Sequence, residues 1–363
     1  MCAEVSVTHH EVYRRRGAFA GWPANYGLWA WGDEVLSVFA VGRVGPMGDI
    51  HELDREHPFK PCQARSLDGG LTWKTEPFHG YVPGGASLSA DEHLEIELKV
   101  RPRLDRATDL AALNGPIDFT DPETIVLCAR TGLAEDSVSW FYTSRSRGRR
   151  WEGPFGFAGL NMPIAARTDI LPLGRKEALF MLTTAKTDGK EGRVFCARTL
   201  DGGRSFEFLG FVGDEPAGYR IMPSSVRIGD GALVTATRCA GQDGDGWIEV
   251  FNSIDEGRNW RKLGIVVDNT GPCGNPPALA VLGDNRLALA YGCRTKPFGI
   301  RLRLGNDGGK AWGDDIALRA DGGTSDIGYP KVVVTDNGDL LVVYYFTDGP
   351  ARERYIAGSR AAL

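Results

Sequence analysis

The stretch Ser66-Leu67-Asp68-Gly69-Gly70-Leu71-Thr72-Trp73 decides the fold, because the chain repeats it. It returns as Thr199-Leu200-Asp201-Gly202-Gly203-Arg204-Ser205-Phe206, as Ser253-Ile254-Asp255-Glu256-Gly257-Arg258-Asn259-Trp260 and as Gly305-Asn306-Asp307-Gly308-Gly309-Lys310-Ala311-Trp312. A worn copy runs from Ser144 to Trp151, with Ser146 where the Asp belongs. The consensus is hydroxyl, any residue, Asp, any residue, Gly, any residue, small polar, aromatic. Such a phrase encodes a hairpin turn. The Asp carboxylate accepts backbone N–H groups of its own turn. The Gly supplies a positive φ, and the aromatic starts the next strand and buries a large apolar surface. These Asp residues are therefore read as turn formers rather than as metal ligands or catalysts.

Spacing sets the architecture. Asp201 to Asp255 is 54 residues, Asp255 to Asp307 is 52, and Ser146 to Asp201 is 55. A period near 50 residues, each unit closed by a hairpin, predicts the blades of an all-β propeller. A second repeat marks the blade starts: Trp22-Pro23, Met222-Pro223, Pro276-Pro277 and Tyr329-Pro330 each precede a short apolar strand. Counting back in steps of 54 from Pro223 lands on Asp169 and then on Gly115, just before Pro116-Ile117-Asp118-Phe119. That gives six blades in a single domain over residues 1–363, with an insertion at about 81–114 between blades one and two and a long loop at 44–61. Within the insertion, residues 94–100 alternate apolar and charged side chains, as an extra strand or a rim loop would, and residues 105–113 read as a short helix. The last blade shows three strands, the third at about 352–359. Val5-Ser6-Val7-Thr8 has no blade of its own, so it is expected to pair as the outer strand of the last blade and close the ring.

Composition narrows the function. Net charge is −5, with 42 basic and 47 acidic residues, which gives no footprint for nucleic acid or an anionic membrane. No apolar run is long enough to span a bilayer. The start, Met1-Cys2-Ala3-Glu4-Val5, lacks the regions of a signal peptide, so the expected location is cytoplasmic, or secreted if a leader has been removed. Seven dispersed cysteines suit reduced thiols.

In a propeller the innermost strands line a central channel, so a site is expected at the blade starts. Those supply Trp22, Asn25, Asp118, Arg167, Asp169, Arg220, Met222, Asn275, Asp326 and Tyr329; nearby loops add Lys186, Glu191, Arg238, Arg294 and the His51 region. Charges gathered at equivalent strand ends point to a polar binding site, or alternatively to a ring of ion pairs that plugs the channel. The loop His51-Glu52-Leu53-Asp54-Arg55-Glu56-His57 has metal-ligand residue types but no second cluster to complete a site, so no metal and no cofactor are assigned.

The repeated Asp phrases, the 52–55 residue period and the six blade starts resemble the sialidase (neuraminidase) superfamily of six-bladed propellers over nearly the whole chain. The resemblance implies a carbohydrate substrate and a Tyr nucleophile opening the last blade, the place of Tyr329. It implies three arginines that clamp a substrate carboxylate. Arg238 resembles the second, and Arg294, or alternatively Arg301, resembles the third. The first is absent, since Gly21-Trp22-Pro23 stands where an Arg-Ile-Pro phrase is expected. Met222 stands where the Glu partner of the Tyr belongs, and the acid/base Asp falls in the loop holding Asp49 and Asp54. A phenol has a pKa near 10 and needs a base, so Asp169 or Asp326 is expected to replace the missing Glu, and His51 or Asp54, in the loop where the resemblance places the acid, is expected to act in acid/base chemistry. Arg167, Arg220, Arg238, Arg294 and Asn275 are expected to bind substrate oxygens. Without one clamp arginine, the expected substrate is an acidic or other non-sialic sugar and the expected activity a glycosidase. A polysaccharide lyase, or a sugar-binding propeller without catalysis, is the alternative.

Overall fold

The computed structural model describes residues 5–46, 51–83, 88–99, 110–229, 231–349 and 353–363. Asp49 and residues 105–109 of the expected helix lie outside them. The architecture is all-β, with six sheets arranged as blades. Blade one pairs Ala18–Gly21, Glu34–Arg43, Lys60–Ser66 and Lys74–Pro77, with Gly27–Trp31 added beside Glu34–Arg43. Blade two has three strands among the described residues, Ile125–Thr131, Val138–Ser144 and Glu152–Gly156. Blade three runs from Ile170–Gly174 to Glu207–Phe211, blade four from Tyr219–Arg227 to Arg261–Pro272, and blade five from Pro277–Val281 to Ile316–Arg319. Blade six pairs Gly328–Val334, Leu340–Phe346 and Tyr355–Ala362, and its outer strand is the N-terminal Ser6–Tyr13. The register runs antiparallel from Ser6 opposite Ala362 to Tyr13 opposite Ile356. The closing strand is thus longer than the four residues expected, and an additional bridge from Phe19 to Arg354 ties blade one to blade six.

The four full copies of the phrase form the turn between the third and fourth strands of their blades, and the worn copy the turn between the second and third strands of blade two. Asp68 Oδ1 accepts the N–H of Leu71 at 3.1 Å and of Thr72 at 2.9 Å, while Ser66 Oγ accepts the N–H of Gly70 at 2.8 Å. Asp255 accepts Asn259 N–H at 2.9 Å, and Trp260 Nε1 donates to Gly257 O at 3.0 Å. In the worn copy, Ser146 Oγ takes over by accepting Arg150 N–H at 3.1 Å. The turn glycine has a second duty. At Gly70 (φ 92°) a Cβ would meet the Leu341 side chain of blade six at 2.5 Å. At Gly257 (φ 86°) it would meet Cys196 Sγ of blade three at 2.6 Å. Each of these turns wedges against the blade before it, so the phrase spaces the blades as well as reversing the chain.

Blade two departs from the equal-step count. The phrase Pro116-Ile117-Asp118-Phe119 forms no strand, and Asp118 sits on the surface, paired with Arg175 at 2.8 Å. Ile117 N–H instead donates to Gly202 O in the turn of blade three, at the end of the blades away from the first-strand openings. The inner edge of Ile125–Thr131 is capped by side chains: Arg130 N–H donates to Ser89 Oγ and Cys128 N–H to Thr168 Oγ1, each at 3.0 Å. Residues 94–99 form a rim loop with a short 3-10 turn at Ile96–Leu98 rather than a strand. Ala111, in the segment expected to be helical, makes a parallel bridge to Phe155.

Candidate active site

Three blade openings share an unusual backbone. Trp22 (φ 58°), Met222 (φ 50°) and Tyr329 (φ 52°) lie in the left-handed region, each directly before a proline. A residue before proline is driven toward extended conformations, and positive φ is costly for a bulky side chain. Such strain persists where surrounding structure enforces it and clusters at functional sites. The ladders of blades four and six break at these points, between Ile221 and Ser224 and between Gly328 and Lys331.

All three openings border one end of the central channel. There a cavity of about 420 Å³ is lined by Trp22, Tyr329, His51, Arg238, Arg294 and Arg167, among others. Tyr329 is 8% exposed, and its hydroxyl accepts a hydrogen bond from Arg238 Nη1 at 2.8 Å. Arg238 donates from Nε to Cys273 O at 2.9 Å, and Met222 Sδ lies 3.5 Å from its Nη1. Burial works against the charge on Arg238, yet Tyr329 and Tyr219 hold its pKa above the usual arginine value. Arg294 donates to Gly274 O at 3.1 Å and to the Tyr345 hydroxyl at 3.2 Å, and its Nε has no hydrogen-bond partner among the described residues. Both guanidiniums are buried, and neither touches a carboxylate among the described residues.

Across the cavity, His51 Nδ1 lies 2.6 Å from Asp326 Oδ1. Asp326 also accepts the Tyr345 hydroxyl at 2.7 Å and Arg354 Nε at 3.0 Å. Burial pushes its pKa up, but His51, Arg354 and Tyr345 outweigh that and hold it below the ordinary carboxylate value. The imidazole packs edge-on against Trp22 and His93. Its Nε2 makes no hydrogen bond among the described residues. The remaining wall is Arg167 with Arg130 and Arg55. Arg167 donates to Asn25 Oδ1 at 3.2 Å and to Glu191 Oε1 at 3.1 Å.

Of the residues singled out in the sequence, Tyr329, His51, Arg167, Arg238, Arg294, Trp22, Asn25 and Glu191 line the cavity. Asp326 stands directly behind His51. Others are elsewhere. Arg220 turns away, pairing with Glu249 at 3.0 Å over the Phe251 ring, because a carboxylate and an aromatic face in its own blade satisfy it. Asn275 is fully buried and binds backbone: its Oδ1 accepts Tyr329 N–H at 3.0 Å and its Nδ2 donates to Ile327 O at 2.9 Å. It positions the Tyr329 backbone rather than facing the cavity. Asp54 turns outward to His57 Nδ1 at 2.7 Å, which splits the expected His-rich cluster in two. Lys186 pairs with Asp188. Asp169 lies two residues deeper than Arg167, in a separate cavity of about 270 Å³ with Lys331. There burial, partly opposed by Lys331, pushes its pKa up to about 6.

Sequence reasoning missed Arg55, Arg130, His93 and Tyr219. Arg130 carried a usable signal. It lies near the end of its strand in Cys128-Ala129-Arg130-Thr131-Gly132, much as Arg238 does in Arg238-Cys239-Ala240-Gly241.

Solved structures share the fold. A protein of unknown function from Dyadobacter fermentans shares 22% identity over 99% of both chains, with a TM-score of 0.72. Trypanosoma rangeli sialidase, solved as a covalent intermediate with 2,3-difluorosialic acid, superposes with a TM-score of 0.62 at 11% identity. Several structural neighbours are sialidases. The chain spans 98% of its own length but 59% of the trypanosomal enzyme. The NanB sialidase from Streptococcus pneumoniae gives a TM-score of 0.58 at 12% identity, over 97% of this chain and 68% of that one. At these identities the likeness is one of sialidase fold. No family model and no curated protein matches the sequence.

Proposed function

We propose that this chain is a sialidase-like glycoside hydrolase that acts on an acidic sugar other than sialic acid, at the channel mouth holding Tyr329. The observation that carries this reading is the Arg238–Arg294 pair beside Tyr329: two buried guanidiniums whose partners are neutral. Buried charge without a counter-charge is costly, and a substrate anion would supply one through charge-assisted bonds. The Tyr329 hydroxyl, held by Arg238, serves as nucleophile or stabilises the positive charge that develops at the anomeric carbon. Asp326 orients His51, and His51 Nε2 gives a proton to the leaving oxygen and takes one from water. Sialic acid itself is disfavoured, because Trp22 and Met222 occupy the places where the resemblance calls for a clamp arginine and the Glu partner of the tyrosine.

A lyase on the same scaffold is the second reading. A tyrosine oxygen held by an arginine also suits a phenolate base. One assay separates the two: aryl glycosides and oligosaccharides of uronic, sulfated, sialic and neutral sugars, followed for reducing ends and for ultraviolet-absorbing unsaturated product. Hydrolysis of an acidic sugar that Tyr329→Phe abolishes supports the reading. Unsaturated product would transfer it to the lyase, and binding without turnover across the panel would sink both.

A further inference from the structure

Lys331 follows Tyr329 by two residues, but the ladder breaks between Gly328 and Lys331, and the two residues border different cavities. The cavity at Lys331, about 270 Å³, owes its place to blade two. Among the described residues no strand lies inside Ile125–Thr131. On that bare edge the N–H groups of Arg130 and Cys128 find the hydroxyls of Ser89 and Thr168. Val126 is next along the same edge by the two-residue period of a strand, and it borders the cavity instead. Leu28, Trp29, Phe119 and Ile170 give this space apolar walls. One amine and one carboxyl stand in it, from blade six and from the approach to blade three. Lys331 Nζ donates to Thr168 O at 2.5 Å and forms no ion pair among the described residues. Asp169 accepts the Ser225 hydroxyl at 2.8 Å. Burial lowers the pKa of Lys331, partly opposed by Asp169 and Cys128, and burial pushes the Asp169 carboxyl up to about 6. Both groups are thereby biased toward their neutral forms. Lys331 is also partly exposed, so a small molecule can reach it.

We propose that Lys331 is a carbonyl-binding amine: this second cavity holds a small aldehyde or ketone with an apolar body as an imine on Nζ, with Asp169 as the proton donor. A desolvated lysine in an apolar pocket is well suited to imine formation. The Nζ lone pair attacks the carbonyl carbon, and a proton passes from nitrogen to oxygen. Asp169 then protonates the hydroxyl of this carbinolamine, which leaves as water while the nitrogen lone pair forms the C=N bond. The carboxylate recovers its proton from the resulting iminium. One amine and one carbonyl thus give one imine and one water, with no oxidant or reductant. The apolar walls select the body of the ligand, and its carbonyl carbon is what Lys331 recognises. The site takes nothing from Tyr329 and stands apart from the hydrolase reading.

The probe is benzaldehyde with cyanoborohydride, which reduces an imine to a stable amine that peptide mapping can locate. It is offered in limiting amount to the whole chain at pH 7. A solvated lysine amine, with a pKa of about 10.4, is almost all protonated at that pH. Lys331 should therefore be marked at least ~10-fold faster than exposed lysines such as Lys74 and Lys176. Lys331→Arg keeps a cation, lacks the nucleophile and should lose the fast phase of labelling. Asp169→Asn should slow that phase by at least ~10-fold. Labelling spread evenly over exposed lysines, or a fast phase that survives Lys331→Arg, would overturn the proposal, and so would an undiminished rate in Asp169→Asn. Mapping of the wild-type chain decides even where a variant fails to fold.

Discussion

The Tyr329 hydroxyl accepts its hydrogen bond from Arg238, 2.8 Å away, and this contact joins blade six to blade four across the channel mouth. It also defines what the tyrosine lacks. Where a carboxylate would draw off the phenolic proton, Met222 presents a thioether beside the same guanidinium. The arginine fixes the position of the hydroxyl oxygen through a charge-assisted hydrogen bond. Tyr329→Phe removes one oxygen and leaves the ring packed against Tyr345. Once a substrate is in hand, turnover should fall by at least ~100-fold with the melting temperature nearly unchanged. Turnover like that of wild type would show that the tyrosine is a packing residue only.

His51 and Asp326 should separate chemistry from stability. His51→Ala removes the ring that faces the cavity, and turnover should drop by about 100-fold or more with a modest change in melting temperature. Asp326→Asn should lose activity and also stability, because Arg354, 2% exposed, would lose its buried carboxylate partner and keep Glu52 at 3.4 Å. Removing one partner of a buried, hydrogen-bonded group costs about 1–3 kcal/mol. Denaturant unfolding of the two variants side by side checks the contrast. Equal stability of the two would mean that the Asp326–Arg354 pair contributes little to the fold.

The propeller was legible because its turns are local. A hydroxyl, an Asp, a Gly and an aromatic within eight residues make their hydrogen bonds to one another, so position in sequence nearly equals position in space. The site is not local in this sense. Arg238 and Tyr329 are neighbours through ring closure, as are His51 and Asp326, and no short window contains either pair. Equal stepping located Arg167 but failed at Asp118, because blade two leaves its inner edge to the hydroxyls of Ser89 and Thr168. Arg220 and Arg238 both bracket the opening of blade four. Only tertiary partners distinguish them: Glu249 takes Arg220 into the blade, while Arg238 meets Tyr219 and Tyr329 at the mouth.

Ring closure should be costly to undo. A chain truncated to begin at Arg14 loses the strand Ser6–Tyr13, exposes the edge of Tyr355–Ala362 and withdraws buried Val12. An open propeller with a bare edge is prone to pairing with other chains. The truncated form should melt well below the full chain and aggregate on heating, by light scattering. An unchanged melting temperature would mean that blade six stands without its outer strand.

The repeated turns should leave a signature in acid. Burial opposes ionisation of Asp68, but hydrogen bonds from Thr72, Ser66 and Leu71 together outweigh it and pull its pKa down to about 2. Asp201 and Asp255 are likewise held below the ordinary value. A carboxyl whose pKa is lower in the folded chain than the unfolded value near 3.9 adds stability that is fully present above that value. The contribution is lost as pH falls through the folded pKa. Melting temperature should therefore decline from about pH 5 toward about pH 2. Asp255→Ala should cost about 1–2 kcal/mol at neutral pH through its lost turn bonds, and the cost should shrink as the pH is lowered. Water reaches these turns, so solvent screening keeps the acid effect smaller than the pKa displacement alone would suggest. Because the turn lies at the far end of the blade from Tyr329, activity per folded molecule should stay close to that of wild type. A large loss of turnover with an unaltered melting curve would move Asp255 from the scaffold to the site.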